Sequence, residues 1–190
     1  MMKSNYLDNA TKQFLYYKML GEKAMDQLES EQLFICINEN SNSIATIVKH
    51  LSGNMFSRWT DFLTTDGEKI WRNRDAEFEE SNLNKEQLLK IWHNGWNCLL
   101  EALNAISNHQ LNDIVYIRNE GHTIIAAINR QLAHYPYHIG QIIFIAKMLK
   151  KTPWESLSIP KNKSKNYNTK KFEKDKCLKS FLDDALNQTP

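Results

Sequence analysis

The sequence predicts an all-α fold, a four-helix bundle, on three observations. Four long stretches carry apolar residues every three or four positions, the spacing that lines one face of an α-helix. Glycine and proline are scarce, 6 and 4 in 190 residues, which disfavours a turn-rich all-β architecture. Hydrophobic residues make up 42% of the chain, enough for one core at this length. A bundle domain is therefore expected over 1–155, with a polar, Lys-rich tail over 156–190 that ends in a short extra helix.

The first helix is expected from about Asp8, read as an N-cap, to Leu28, with Phe14, Tyr17, Met25 and Leu28 on one stripe. The second starts after Ser43, another N-cap residue, and runs to about Leu63 through Ile44, Ile47, Val48, Leu51, Met55, Trp59 and Phe62. The third opens at Asn84 with Gln87 three residues on, a capping-box pattern, and continues through Trp92, Trp96, Leu99 and Leu103 to Ile106. The fourth begins near His122 and Thr123 and ends near Lys150, where lysines suit the negative end of the helix dipole and Pro153 blocks continuation. The connection from about Thr64 to Ser81 is long enough, when extended, to cross a helix of about 20 residues. The second and third helices are thus free to run side by side in the same direction. The segments Glu29 to Asn42 and Asn108 to Gly121 are also expected as long loops. After Trp154 the chain turns polar, and Phe172, Leu178, Phe181, Leu182 and Leu186 mark the short last helix.

Charge and composition narrow the function classes. A net charge of +2 is too mild to imply nucleic-acid binding, and the lysines of the tail are read as a solvated surface. No run approaches the roughly 18 apolar residues of a membrane span, and the first residues lack an apolar signal-peptide core. Three widely spaced cysteines, Cys36, Cys98 and Cys177, suit reduced thiols and a cytoplasmic protein.

The chemistry centres on histidine. His134 and His138 are separated by four residues and project from one helix face, where two imidazoles can share a metal ion. Gln131, His134, His138 and Gln141 form a polar stripe on an otherwise Ile-rich helix, which costs free energy in a bundle interior unless it is satisfied. His50 lies in a second amphipathic helix, beside Asn54 and Ser57, and supplies a third nitrogen. Three neutral nitrogens with an open position make a catalytic type of site. The competing reading is a set of ordinary half-buried histidines. Pro136 removes the amide that would bond to the Leu132 carbonyl and disfavours helical geometry at Tyr135. The expectation is a kinked helix with both imidazoles convergent, the alternative a spoiled pair. His93, His109 and His122 are expected to serve packing or local hydrogen bonds.

The chain resembles the DinB/YfiT-like metalloenzyme family over Tyr6 to Asn166, most closely a branch with no assigned function. Four strings carry the resemblance: Ser43 to Met55, Arg58 to Phe62, Trp71 to Phe78, and Ile128 to Gln141. It implies a four-helix bundle of up-down-down-up topology, commonly a homodimer, with zinc or nickel held at positions matching His50, His134 and His138. Characterised members are thiol-dependent transferases and isomerases using bacillithiol, mycothiol or glutathione-type thiols. The expected function is a metal-dependent S-transferase that joins a low-molecular-weight thiol, bacillithiol or a similar one, to a small electrophile. The alternatives are a hydrolase acting through metal-bound hydroxide and a non-catalytic metal or small-molecule binding protein. Asn54 and Gln141 are expected to support the ligands or orient substrate, and Arg130 either to meet a carboxylate of the thiol or to be a solvated surface arginine. Arg72, Arg74, Asp75 and Glu77 close over the site, remain exposed charges or form a dimer contact.

Overall fold

A computed structural model describes residues 6–186. Four long helices form the body: α1 (Tyr6–Met25), α2 (Ile44–Trp59), α3 (Lys85–Ala105) and α4 (Ile124–Leu149). Two short strands, β1 (Ile114–Ile117) and β2 (Glu120–Thr123), precede α4, and α5 (Ser164–Phe172) and α6 (Phe181–Leu186) follow it. α1 packs chiefly on α4 and α2 on α3, and α2 also meets α4. Among the described residues no helix is long and apolar enough to cross a membrane.

The helix starts follow the capping chemistry. Ser43 Oγ accepts from the Thr46 amide at 3.1 Å, and Thr123 Oγ1 accepts from the Ala126 amide at 3.1 Å. Asn84 and Gln87 form the reciprocal capping box, at 2.9 and 3.0 Å. Asp8 is not an N-cap: it lies inside α1, where it pairs with Lys12 at 2.9 Å. α2 stops at Trp59 rather than near Leu63, because Asp61 takes a left-handed φ of 49° and its carbonyl accepts from the Thr64 and Thr65 amides.

Contacts ascend together along the paired helices. Ser52 meets Ile91 and Gly95, whereas Thr60 meets Cys98. Tyr6 reaches Asn129, Phe14 lies against Tyr135, and Gln27 reaches Lys150. Gly95 permits the α2–α3 approach, since a Cβ there would stand 2.9 Å from Ser52 Cα. The core between the four helices is aromatic and aliphatic, with Phe14, Trp92, Trp96, Tyr135 and Ile142 buried.

Three segments depart from the expectation. The connection after α3 contains a hairpin, with Ile117 opposite Glu120 and a two-residue turn at Arg118 and Asn119. Both turn residues have positive φ, 57° and 62°, the mark of a type I′ turn. The Asp66 carboxylate accepts from both of their amides at 2.8 Å, so a distant loop holds this turn. The Glu29–Asn42 connection contains a 3₁₀ turn, Ser30–Phe34, tied to the end of α4 by Gln32 Nε2 donating to the Leu149 carbonyl at 2.6 Å. The Lys-rich tail, read as a solvated surface, contains α5, which buries no residue, and α6 packs back on α1.

Candidate metal centre

α2 and α4 cross so that His50 faces His134 and His138. The imidazole centroids lie 5.5 Å (His50–His134), 5.0 Å (His50–His138) and 4.8 Å (His134–His138) apart. One donor nitrogen from each ring lies within 4.8 Å of the others. The Nε2 atoms of His134 and His138 are 3.1 Å apart. An ion bound tetrahedrally with bonds of about 2.1 Å holds its ligand nitrogens about 3.4 Å apart, so the α4 pair already has the required spacing and His50 needs only a small approach.

The outer nitrogens decide which nitrogen of each ring carries a proton. His50 Nδ1 donates to Glu77 Oε2 at 2.9 Å, because a carboxylate only accepts. His134 Nδ1 donates to Gln131 Oε1 and His138 Nδ1 to Gln141 Oε1, both at 3.3 Å. With each proton on Nδ1, the Nε2 lone pairs of His134 and His138 face each other and the second nitrogen of His50 is left free. That arrangement is repulsive until a cation sits among them. Burial, then the charges of His138, His50, Arg58 and Arg130, push His134 down to about 3. Burial and His50 also lower His138, against the hydrogen bond it donates to Gln141. Neutral imidazole is the form that binds metal, so the residues present fit a divalent ion.

Glu77 completes the surroundings of His50. It sits on a 3₁₀ turn, Asp75–Phe78, packed on α2. Arg72 grips its other edge, Nε to Oε1 at 2.8 Å and Nη2 to Oε2 at 3.0 Å. Burial pushes the Glu77 carboxyl up, but His50 and Arg72 outweigh it and hold it below the usual carboxylate range. Gly53 makes room: a Cβ there would lie 2.3 Å from Glu77 Oε1. Glu68 extends the network, pairing with Arg58 and Arg118, both at 3.1 Å. The loop charges therefore divide. Arg72 and Glu77 are buried side chains of the site, whereas Arg74 and Asp75 are exposed. Phe78 lies over His50 with ring centroids 5.0 Å apart, and the Arg74 guanidinium sits 5.1 Å from the Phe78 centroid. The sequence contains no signal that singles out Glu77 among the loop acids, because its partner lies 27 residues away.

The remaining site residues are distributed as follows. Gln141 accepts from His138. Asn54 is buried on α2 and accepts from the Tyr135 hydroxyl at 3.0 Å, and that hydroxyl accepts from Trp59 Nε1 at 2.9 Å. Arg130 is exposed one turn before His134. α4 continues through Pro136, and the two imidazoles converge. Tyr135 stays helical despite the proline after it, held by its two buried hydrogen bonds and by Phe14 and Trp96. The other histidines lie elsewhere: His93 is 3.4 Å from Glu22, and His109 bonds to Ser107. His122 Nε2 is buried with no hydrogen-bond partner among the described residues.

A family model described as "Protein of unknown function (DUF1572)" matches residues 1–163. No curated protein and no solved structure matches the chain.

Proposed function

The chain belongs to the DUF1572 family, whose description assigns no activity, and from its histidine cluster we propose that it is a metal-dependent enzyme that transfers a low-molecular-weight thiol to a small electrophile. One observation carries the metal reading. Each of the three rings has its Nδ1 bonded to an oxygen acceptor, which leaves its other nitrogen free for an ion, in a cluster whose donor atoms lie within 4.8 Å of one another. His50, His134 and His138 hold the ion, zinc or nickel, in this reading. A divalent ion bound there supplies a Lewis acid that lowers the pKa of a bound thiol or water.

The chain's own residues do the rest. Glu77 fixes the tautomer and orientation of His50, and Gln131 and Gln141 do so for the α4 pair. Phe78 shields one side of His50 from water. Arg130 offers a cation at the rim for a carboxylate of the thiol, whose bacillithiol-type class is inferred from the DinB/YfiT resemblance. Asn54 keeps α2 and α4 in register through Tyr135 and so orients the floor of the site. The sulfur bonds to the electrophilic carbon, the leaving group departs with its electron pair, and the thiol proton passes to solvent.

The same reading takes the body over 1–155 as a DinB/YfiT-like bundle of up-down-down-up topology, with 156–190 as an appended segment. The ascending contacts between α1 and α4 and between α2 and α3 support that topology. A cytoplasmic homodimer is part of it, with exposed Trp71 and Phe78 available for the contact.

The test is elemental analysis of tag-free protein beside a His50→Ala, His138→Ala double variant, followed by turnover assays with thiols and electrophiles. Near-stoichiometric metal in the first protein only, together with thiol-dependent turnover, is expected. Trace metal in both proteins overturns the reading. Metal with thiol-independent ester or amide cleavage assigns a hydrolase instead, and metal with no turnover a binding protein.

A further inference from the structure

Away from the histidines, the C-terminal segment returns across α1 and borders an open cavity of about 860 Å³. Its two ends are anchored. Gln27 Oε1 accepts from the Glu155 amide at 2.9 Å and from Lys150 Nζ at 2.7 Å. At the far end Asp183 pairs with Lys12 at 3.1 Å, Leu182 is buried, and the Phe181 ring meets Tyr16. α5 spans the interval between these anchors. α5 and α6 begin after residue 163, so the family match does not cover them.

The lining is strongly one-signed. Lys23 comes from α1, Lys163 from the start of α5, Lys170 and Lys171 from its last turn, and Lys174 from just beyond it. Asp184 is the lone carboxylate among the described lining residues. It is already occupied by Lys171 at 2.5 Å and by Lys179. Lys23, Lys163, Lys170 and Lys174 make no ion pair among the described residues. Four uncompensated ammonium groups around a concavity repel one another and concentrate anions. The wall beneath them is apolar and aromatic, with Tyr16, Tyr167 and Phe181 presenting rings. Cations above flat apolar surface suit a ligand with a phosphorylated end and a planar body. The volume lies within the roughly 300–1,000 Å³ of small-molecule sites, which favours a compact ligand over a nucleic-acid strand.

We propose that this cavity between α1 and the C-terminal helices binds a nucleoside polyphosphate, with its phosphates on the lysines and its base against the aromatic rings. The site shares no lining residue with the histidine cluster.

Isothermal titration of the full chain with ADP in magnesium-free buffer tests this, with pyrophosphate, adenosine and single-stranded DNA oligonucleotides as further probes. ADP is expected to bind one-to-one, pyrophosphate more weakly, and adenosine not at all. The Lys170→Glu, Lys174→Glu variant should weaken ADP by about tenfold or more per lysine, as expected for lost charge-assisted contacts. Lys23→Glu should do the same from a helix whose folding does not depend on α5. Lys176→Glu, outside the lining, and the His50→Ala, His138→Ala variant should bind ADP like the parent, which separates this site from the metal centre. Absence of saturable ADP binding, or ADP affinity unchanged in Lys23→Glu and in the double lysine variant, overturns the proposal. An affinity that grows with oligonucleotide length and ignores Lys23→Glu also overturns it, and assigns the tail lysines to nucleic acid.

Discussion

Glu77→Gln keeps the shape of the side chain and removes its charge. In the native site the carboxylate accepts from His50 Nδ1 at 2.9 Å and from two nitrogens of Arg72 at 2.8 and 3.0 Å. The amide has one accepting oxygen for these donors, and its NH₂ faces either His50 or Arg72. Loss of a carboxylate behind a ligand histidine typically costs 10–100-fold in metal affinity, about 1.4–2.7 kcal/mol. The guanidinium of Arg72, with its side chain 3% exposed, keeps Glu68 at 3.7 Å as its charge partner among the described residues. Removing one member of a buried pair costs about 3–5 kcal/mol, and the remaining Glu68 charge puts Arg72 at the lower end, about 3 kcal/mol. Two measurements separate these effects. Competition against a chromogenic chelator reads metal affinity, and urea unfolding of metal-free protein reads stability. We expect both to fall. A variant that unfolds at lower urea yet competes for zinc within twofold of the parent would refute the role of Glu77 in orienting His50, leaving it a structural ion pair.

Gly53→Ala attacks the same contact from α2, because the new Cβ would collide with Glu77 Oε1. Zinc affinity in the chelator assay should drop by about tenfold or more even though alanine favours helix by about 1 kcal/mol. Tyr135→Phe leaves Trp59 Nε1 and Asn54 Oδ1 without their shared hydroxyl; urea unfolding should show a loss of about 1–3 kcal/mol, and an unchanged midpoint would contradict it. Gly95→Ala pushes α3 away from the Ser52 backbone and should cost about 1–3 kcal/mol by the same assay. The metal-free protein should weaken as pH falls below about 6.5, because the unfolded state protonates His134 and His138 while the fold holds them neutral. For His134 the loss continues down to its folded value of about 3 and amounts to at most about 2 kcal/mol between pH 6.5 and 5. Urea midpoints that stay level over that interval would contradict the sign.

The four long helices and two of their caps were legible in the sequence because they depend on local periodicity and on side chains within one turn. Ser43 and Asn84 each bond to an amide three residues away, a distance that composition and spacing report directly. The His134–His138 pair is local in the same sense. The hairpin escaped notice because its turn uses Arg118 and Asn119 rather than a glycine pair, with Asp66 supplying the anchor from 52 and 53 residues away.

What the sequence determined by itself was the set of amphipathic helices and a helical turn presenting two imidazoles, since both follow from the 3.6-residue period of one backbone. The tertiary structure alone decided that His50 would face that pair, that Glu77 among several loop acids would stand behind it, and that the lysines of the last segment would surround a cavity on α1. Those outcomes depend on how separate helices cross and where long connections settle. Packing sets them through close approaches such as Gly53 to Glu77 and Gly95 to Ser52, which no local pattern encodes.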